Sequence, residues 1–231
     1  MFYRIFGISF FLLSFLFSRN KDKTTEPSNL ATDSIDPIDP IPNNETVTIG
    51  TQVWMVKNLD VEHYRNGDTI PQVTDKKEWD KLTTGAWCYY GNDANNGKTY
   101  GKLYNWFAVN DPRGIAPSRW HVPSDAEWTE LTTYLGGEDV AGGKLKEVDT
   151  LHWYKPNRGA TNESGFSALP GGYRYSYSSF SYFGINGHWW SSTKKNYTMN
   201  AWIRYLTYGS SSILRVINYK GNAFSVRCIH D

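Results

Sequence analysis

Trp128, Leu131 and Leu135 recur at i, i+3 and i+7, one apolar stripe with the spacing of a helix that buries a single face. Just ahead of it, Ser124 and Glu127 stand three apart. That is the spacing of a capping box, in which each side chain satisfies a free N–H of the first turn. Pro123 pushes the residue before it toward extended geometry, so Trp120-His121-Val122 is predicted extended. Gly136-Gly137 ends the helix. Residues 74–82 predict a short helix capped by Thr74 or Asp75, with Trp79 and Leu82 inward. Apolar positions 103, 106 and 107 predict a helix over residues 100–109, and residues 139–147 predict a weaker one carrying Gly142-Gly143.

Strand patterns frame these helices. Residues 46–49 and 52–55 are β-rich runs around Gly50-Thr51 and predict a hairpin; residues 86–90 predict a strand. Between them and the next helix, residues 91–97 predict a polar turn, since their order of acids, amides and glycines does not match a calcium loop. After residue 165 the pattern changes. Residues 166–169, 172–177, 188–192, 201–206, 213–218 and 223–229 are short β-rich runs separated by turn residues, the pattern of antiparallel sheet. Early helices and a loop-rich antiparallel sheet in the C-terminal half predict an α+β domain rather than a doubly wound one.

The first 44 residues follow another rule. Met1-Phe2-Tyr3-Arg4 is a basic start, and residues 5–17 are apolar apart from two serines and a glycine. That run is too short to span a bilayer as a helix and matches the core of an export signal. Residues 1–19 are therefore expected to be an export signal. Arg19 stands where a bacterial lipoprotein of this shape carries its lipidated cysteine, so export without lipid attachment is expected, and membrane contact only through the signal or a lost anchor. Residues 20–44 are polar and punctuated by Pro37, Pro40 and Pro42, a semi-rigid linker. The folded domain is expected over residues 45–231.

Composition adds one unusual number: 16% of residues are aromatic, with ten Trp and sixteen Tyr. Such a chain builds a β-rich aromatic core, and its tyrosines also suit a surface that stacks on sugars or peptides. A net charge of +1 with scattered Lys and Arg gives no electrostatic footprint for nucleic acid. The two cysteines, Cys88 and Cys228, suit one disulfide in an exported protein, the alternative being two buried free thiols.

Reactive constellations are sparse. His63, His121, His152, His188 and His230 lack paired spacing with Cys, Asp or Glu, so no metal is expected. Asn162-Glu163-Ser164-Gly165-Phe166 lacks the Gly-x-Ser-x-Gly frame of a nucleophile elbow. No catalytic residue and no cofactor is assigned. The strongest signal for recognition is residues 173–183, Tyr interleaved with Arg, Ser and Phe. In extended form Tyr173, Tyr175 and Tyr177 share one face. With Tyr182 and Trp189 they are the candidate binding residues. Trp189 and Trp190 point to opposite faces of their strand, so one is expected in the core and the other within reach of a ligand.

Several blocks occur in one order: Val53-Trp54-Met55-Val56-Lys57-Asn58-Leu59, Tyr100-Gly101-Lys102-Leu103-Tyr104-Asn105-Trp106, Trp120-His121-Val122-Pro123-Ser124-Asp125-Ala126-Glu127-Trp128, Gly165-Phe166-Ser167-Ala168-Leu169-Pro170-Gly171-Gly172-Tyr173-Arg174, Trp189-Trp190-Ser191-Ser192 and Phe224-Ser225-Val226-Arg227-Cys228. Together they resemble the Fibrobacter succinogenes major paralogous domain of Bacteroidetes-type envelope lipoproteins, over about residues 45–231. The resemblance implies a single domain of the C-type-lectin-like kind with its termini close together. It also implies a place in the periplasm or on the surface of a Gram-negative bacterium. A calcium-type sugar site is not expected, because Lys155 stands where the Glu-Pro-Asn triplet has its carboxylate. The function expected is an exported envelope binding or adhesion module for carbohydrate or a surface protein. The alternatives are an enzyme acting on envelope or plant polysaccharide, and a structural surface protein without a small ligand.

Overall fold

The computed structural model describes residues 45–177, 179–196 and 198–231. The expected export signal and linker lie outside the described residues. In chain order the strands are β1 (Thr46–Ile49), β2 (Gln52–Met55), β3 (Trp87–Cys88), β4 (Leu103–Asn105), β5 (Trp120–His121), β6 (Tyr173–Arg174), β7 (Phe180–Ser181), β8 (Asn186–Lys194), β9 (Asn200–Thr207), β10 (Ile213–Tyr219), β11 (Ala223–Phe224) and β12 (Ile229–His230). The helices are α1 (Lys76–Asp80), α2 (Ala94–Tyr100), α3 (Trp106–Val109), α4 (Asp125–Tyr134) and α5 (Glu138–Leu145).

The strands form three sheets, ordered β1-β2-β12-β5, β10-β9-β8 and β3-β4-β11-β6-β7. All their strand pairs are antiparallel, giving an α+β fold. The last strand joins the opening hairpin: Ile229 of β12 lies opposite Trp54 of β2. The opening hairpin turns at Gly50, whose φ of +63° is open to glycine at little steric cost.

α4 forms as its sequence requires. Ser124 Oγ accepts from the Glu127 N–H at 3.2 Å, and Glu127 Oε2 accepts from the Ser124 N–H at 2.6 Å. Trp128, Leu131 and Leu135 are buried in one cluster with Trp54 and Phe166. α1 is capped by Asp75 and buries Trp79.

Residues 100–109 depart from the expected helix. Gly101 takes a φ of +71°, and the chain then runs as β4, buried throughout, between β3 and β11. Asn105 ends that strand and caps α3, its Oδ1 accepting from Ala108 at 3.0 Å and from Ala86 at 3.1 Å. Of the three apolar positions behind that expectation, Leu103 lies in β4 and residues 106 and 107 in α3, so the stripe merges a buried strand with the short helix that follows it. The expected polar turn over residues 91–97 is partly helical: Asp93 accepts from the Asn95 N–H at 2.9 Å and starts α2. In the C-terminal half the run 223–229 divides between two sheets. Ser225 to Cys228 cross between them, buried, and Trp190, Leu59 and Met55 donate to the Ser225, Val226 and Cys228 carbonyls.

Much of the aromatic content is internal. Trp54, Trp79, Trp128, Trp153, Trp189 and Trp190 are among the largest fully buried side chains. Their indoles tie distant segments: Trp79 donates to the Gly221 carbonyl at 2.8 Å, Trp153 to Ala168 at 2.9 Å and Trp190 to Tyr104 at 2.8 Å. Buried cations do the same through backbone carbonyls. Arg174 donates to Val73, Thr74 and Asp75, Arg227 to Met55 and Phe166, and Lys146 to Arg158, Thr207 and Ser210.

The disulfide considered from the sequence is not formed. Cys88 and Cys228 are free and buried in different hydrophobic clusters, the first with Trp79 and Leu103, the second with Trp120 and Val226. Burial pushes both thiols up to about 12.

Candidate functional site: an aromatic face on the C-terminal sheets

The site grows from the alternation of β6. Arg174 turns toward α1, stacking on Trp79 at 4.4 Å, so its neighbours Tyr173 and Tyr175 take the opposite side. Beyond β6 the chain turns and the rings stay in contact: Tyr173 to Tyr175 at 4.5 Å, Tyr175 to Tyr177 at 5.6 Å. The Asn222 side chain holds this turn, accepting from the Ser176 N–H at 2.8 Å and donating to Asn218 Oδ1 at 2.6 Å. Tyr182 comes back over Tyr173 with its ring nearly parallel, 7° between planes at 5.7 Å. Its φ is +63°, a costly conformation for a bulky residue, fixed by Ile185 and Asn186 N–H groups on its carbonyl.

The longer sheet supplies the floor. His188 of β8 lies opposite Tyr205 of β9, and Leu214 of β10 lies opposite Tyr205 on its other side. His188 stacks on Tyr205 and on Phe224, at 5.3 Å each, and meets Tyr173 edge-on at 4.7 Å. Burial brings the His188 pKa down to about 3, so the ring stays neutral, and its Nδ1 has no partner. Burial first, and the contact with Tyr175 second, hold the Tyr173 proton far above the ordinary phenol range.

The result is a chain of touching rings with one end in the core and the other in solvent. Tyr173 is 6% exposed, Tyr175 is half-buried, Tyr182 is 46% exposed and Tyr177 is 64% exposed. Leu214 is exposed beside Tyr205. Trp189 does not belong to this surface. It is 1% exposed, packs with Phe166 at 6.2 Å and donates to Asn58 Oδ1 at 2.9 Å. Trp190 faces the other way, as alternation requires, and packs on Phe224 at 4.6 Å. Both indoles are covered because α4 packs on β8 from one side and β11 from the other. His188, Tyr205 and Leu214 carry no sequence signal that would single them out. The β8–β9–β10 register that brings them to the tyrosines is a long-range pairing with no local signature.

One titratable group stands apart. His121 sits between two carboxylates, Nδ1 at 2.7 Å from Asp231 and Nε2 at 2.8 Å from Glu127. Burial opposes its charge, but the Asp231 and Glu127 carboxylates outweigh it and raise its pKa. Ser124 Oγ bonds Glu127 at 2.8 Å, so the hydroxyl engages the carboxylate and not the imidazole that would have to activate it. Among the described residues, no three His, Cys, Asp or Glu side chains gather as metal ligands would.

The geometry defines an α+β domain of antiparallel sheets, with a solvent-facing aromatic surface on its C-terminal half. The chain belongs to the Fibrobacter succinogenes major domain family, whose model matches residues 47–230. Comparison with curated proteins and with solved structures finds no match.

Proposed function

We propose that this protein is an exported recognition module of the bacterial envelope, which holds a glycan or a surface protein through Tyr175, Tyr177, Tyr182 and Tyr205. The observation that carries the reading is the exposure of Tyr177 and Tyr182 on top of a buried ring stack. Tyrosine offers a large, stiff contact area at low entropy cost and a hydroxyl for polar partners, the chemistry of adaptable recognition surfaces. The positive φ of Tyr182 agrees with this, since backbone strain of order 1–3 kcal/mol persists where the surroundings over-determine it. Export rests on the apolar run after the basic start, and the absence of a lipid on Arg19. A fold of the C-type-lectin-like kind, in a Bacteroidetes-type lipoprotein lineage, is part of the same reading; the meeting of β2 with β12 supports it.

The test is a glycan and envelope-protein array probed with the full chain and with its Tyr177→Ala/Tyr182→Ala variant. Signals lost in the variant support the reading. An array on which both proteins give the same signals removes the tyrosine face from the function.

A further inference from the structure

Lys194, Lys195 and Lys220 converge on an open hollow of about 490 Å³, lined also by Asn196, Thr198 and Met199. No carboxylate is among these described lining residues. Some surface cations elsewhere have acidic partners: Lys57 pairs with Glu45, Lys144 with Glu163 and Arg215 with Asp125. Here the cations are held by neutral groups. Lys220 Nζ donates to the Thr198 carbonyl at 3.0 Å and lies 4.6 Å over the Trp106 ring, while Lys195 lies 5.3 Å over Trp202. Burial, and secondarily Lys194, push the Lys220 pKa down. Three like charges around one hollow repel each other, and an anion in the hollow reverses that repulsion. The hollow is within the size range of small-ligand sites, and the exposed Asn196 adds an amide that suits hydroxyls. A membrane-binding surface would set several apolar side chains around its cations; among the described lining residues Met199 is the apolar one.

We propose that Lys194, Lys195 and Lys220 form a binding site for an oxyanion group, sulfate or carboxylate, carried on a saccharide. The proposal does not depend on the tyrosine reading. The test is titration of the full chain at physiological salt, where long-range attraction is screened beyond about 8 Å. The probes are dextran sulfate, a carboxymethyl dextran and uncharged dextran, with phosphatidylglycerol vesicles and polyglutamate as rivals. One or both charged dextrans are expected to bind and the uncharged one not, the stronger of the two telling sulfate from carboxylate. Lys194→Gln/Lys195→Gln and, separately, Lys220→Gln should each weaken binding at least tenfold with an unchanged melting curve. Lys76→Gln/Lys77→Gln, on exposed positions of α1, should leave it unchanged. The proposal is overturned if neither charged dextran binds, if the α1 control weakens binding equally, or if vesicles or polyglutamate bind more tightly than the dextrans.

Discussion

Lys146→Met isolates one buried charge of the fold. The Lys146 side chain is fully buried, and its ammonium donates to the carbonyls of Arg158 at 2.9 Å, Thr207 at 3.1 Å and Ser210 at 2.9 Å. Burial brings its pKa from 10.5 down to about 8. Each pKa unit is about 1.4 kcal/mol, so the charged form costs the fold roughly 3 kcal/mol below pH 8. The unfolded chain binds more protons than the fold between about 8 and 10.5, so stability from this group rises with pH across that window. Between pH 7 and 9.5 the gain is about 2 kcal/mol. Methionine removes the charge and keeps the volume, but leaves the Arg158 and Ser210 carbonyls without this donor, at about 1–3 kcal/mol each. The Thr207 carbonyl keeps the Ser210 N–H at 3.4 Å. At neutral pH the two effects largely offset, leaving the variant between about 1 kcal/mol more stable and about 3 kcal/mol less stable. The pH dependence is therefore the sharper readout. Urea denaturation of both proteins from pH 7 to 9.5 gives a difference curve in which the buried thiols and tyrosines, common to both, cancel. The wild-type protein should gain about 2 kcal/mol on the variant across that range. Parallel curves would refute the reasoning, because they would mean that Lys146 titrates alike in the folded and unfolded chains.

Three shorter predictions follow from single contacts. Gly142→Ala would put a Cβ 2.3 Å from the Ser212 carbonyl oxygen, so it should cost several kcal/mol, whereas Gly209→Ala meets nothing within 4 Å and should melt like the parent protein. Reductant should leave the melting temperature unmoved, and thiol alkylation should proceed only after unfolding, since Cys88 and Cys228 are buried, free and pushed up to about 12. His121→Gln should cost up to about 1 kcal/mol at pH 5–6, because exposed ion pairs contribute little. His121 has a raised folded pKa, so its contribution is present below the unfolded value near 6.5 and fades as pH rises through the folded one; a variant that loses most stability above that pH would contradict the assignment.

The parts of the fold legible in the sequence are those with local causes. The α4 signals, Ser124, Glu127, the 128/131/135 stripe and Gly136-Gly137, lie within fourteen consecutive residues and act on one another directly. The opening hairpin is visible for the same reason. What the sequence hides depends on pairing across the chain: β12 beside β2, the division of residues 223–229 between two sheets, and β4 buried between β3 and β11. The tyrosine run carries its own alternation, so Tyr173, Tyr175 and Tyr177 group together on sequence alone. Whether each ring is covered does not follow from that alternation, because it depends on His188, Tyr205 and Phe224 arriving from other strands. The two tryptophans show the same limit. Alternation correctly separates Trp189 from Trp190, yet both are enclosed because both faces of β8 are covered.

Reading stability and binding together in two tyrosine variants is the most direct test of the claim that the outer rings make contact while the inner ones hold the body together. Tyr177 and Tyr182 lose one ring contact each on truncation to alanine, worth about 0.5–1.5 kcal/mol apiece, whereas Tyr173→Ala empties a buried site at about 3–5 kcal/mol. The double variant Tyr177→Ala/Tyr182→Ala is expected to melt within several degrees of the parent protein and to lose its ligand on the array, while Tyr173→Ala melts far lower. A double variant that binds as the parent does, or that unfolds as readily as Tyr173→Ala, would contradict the claim.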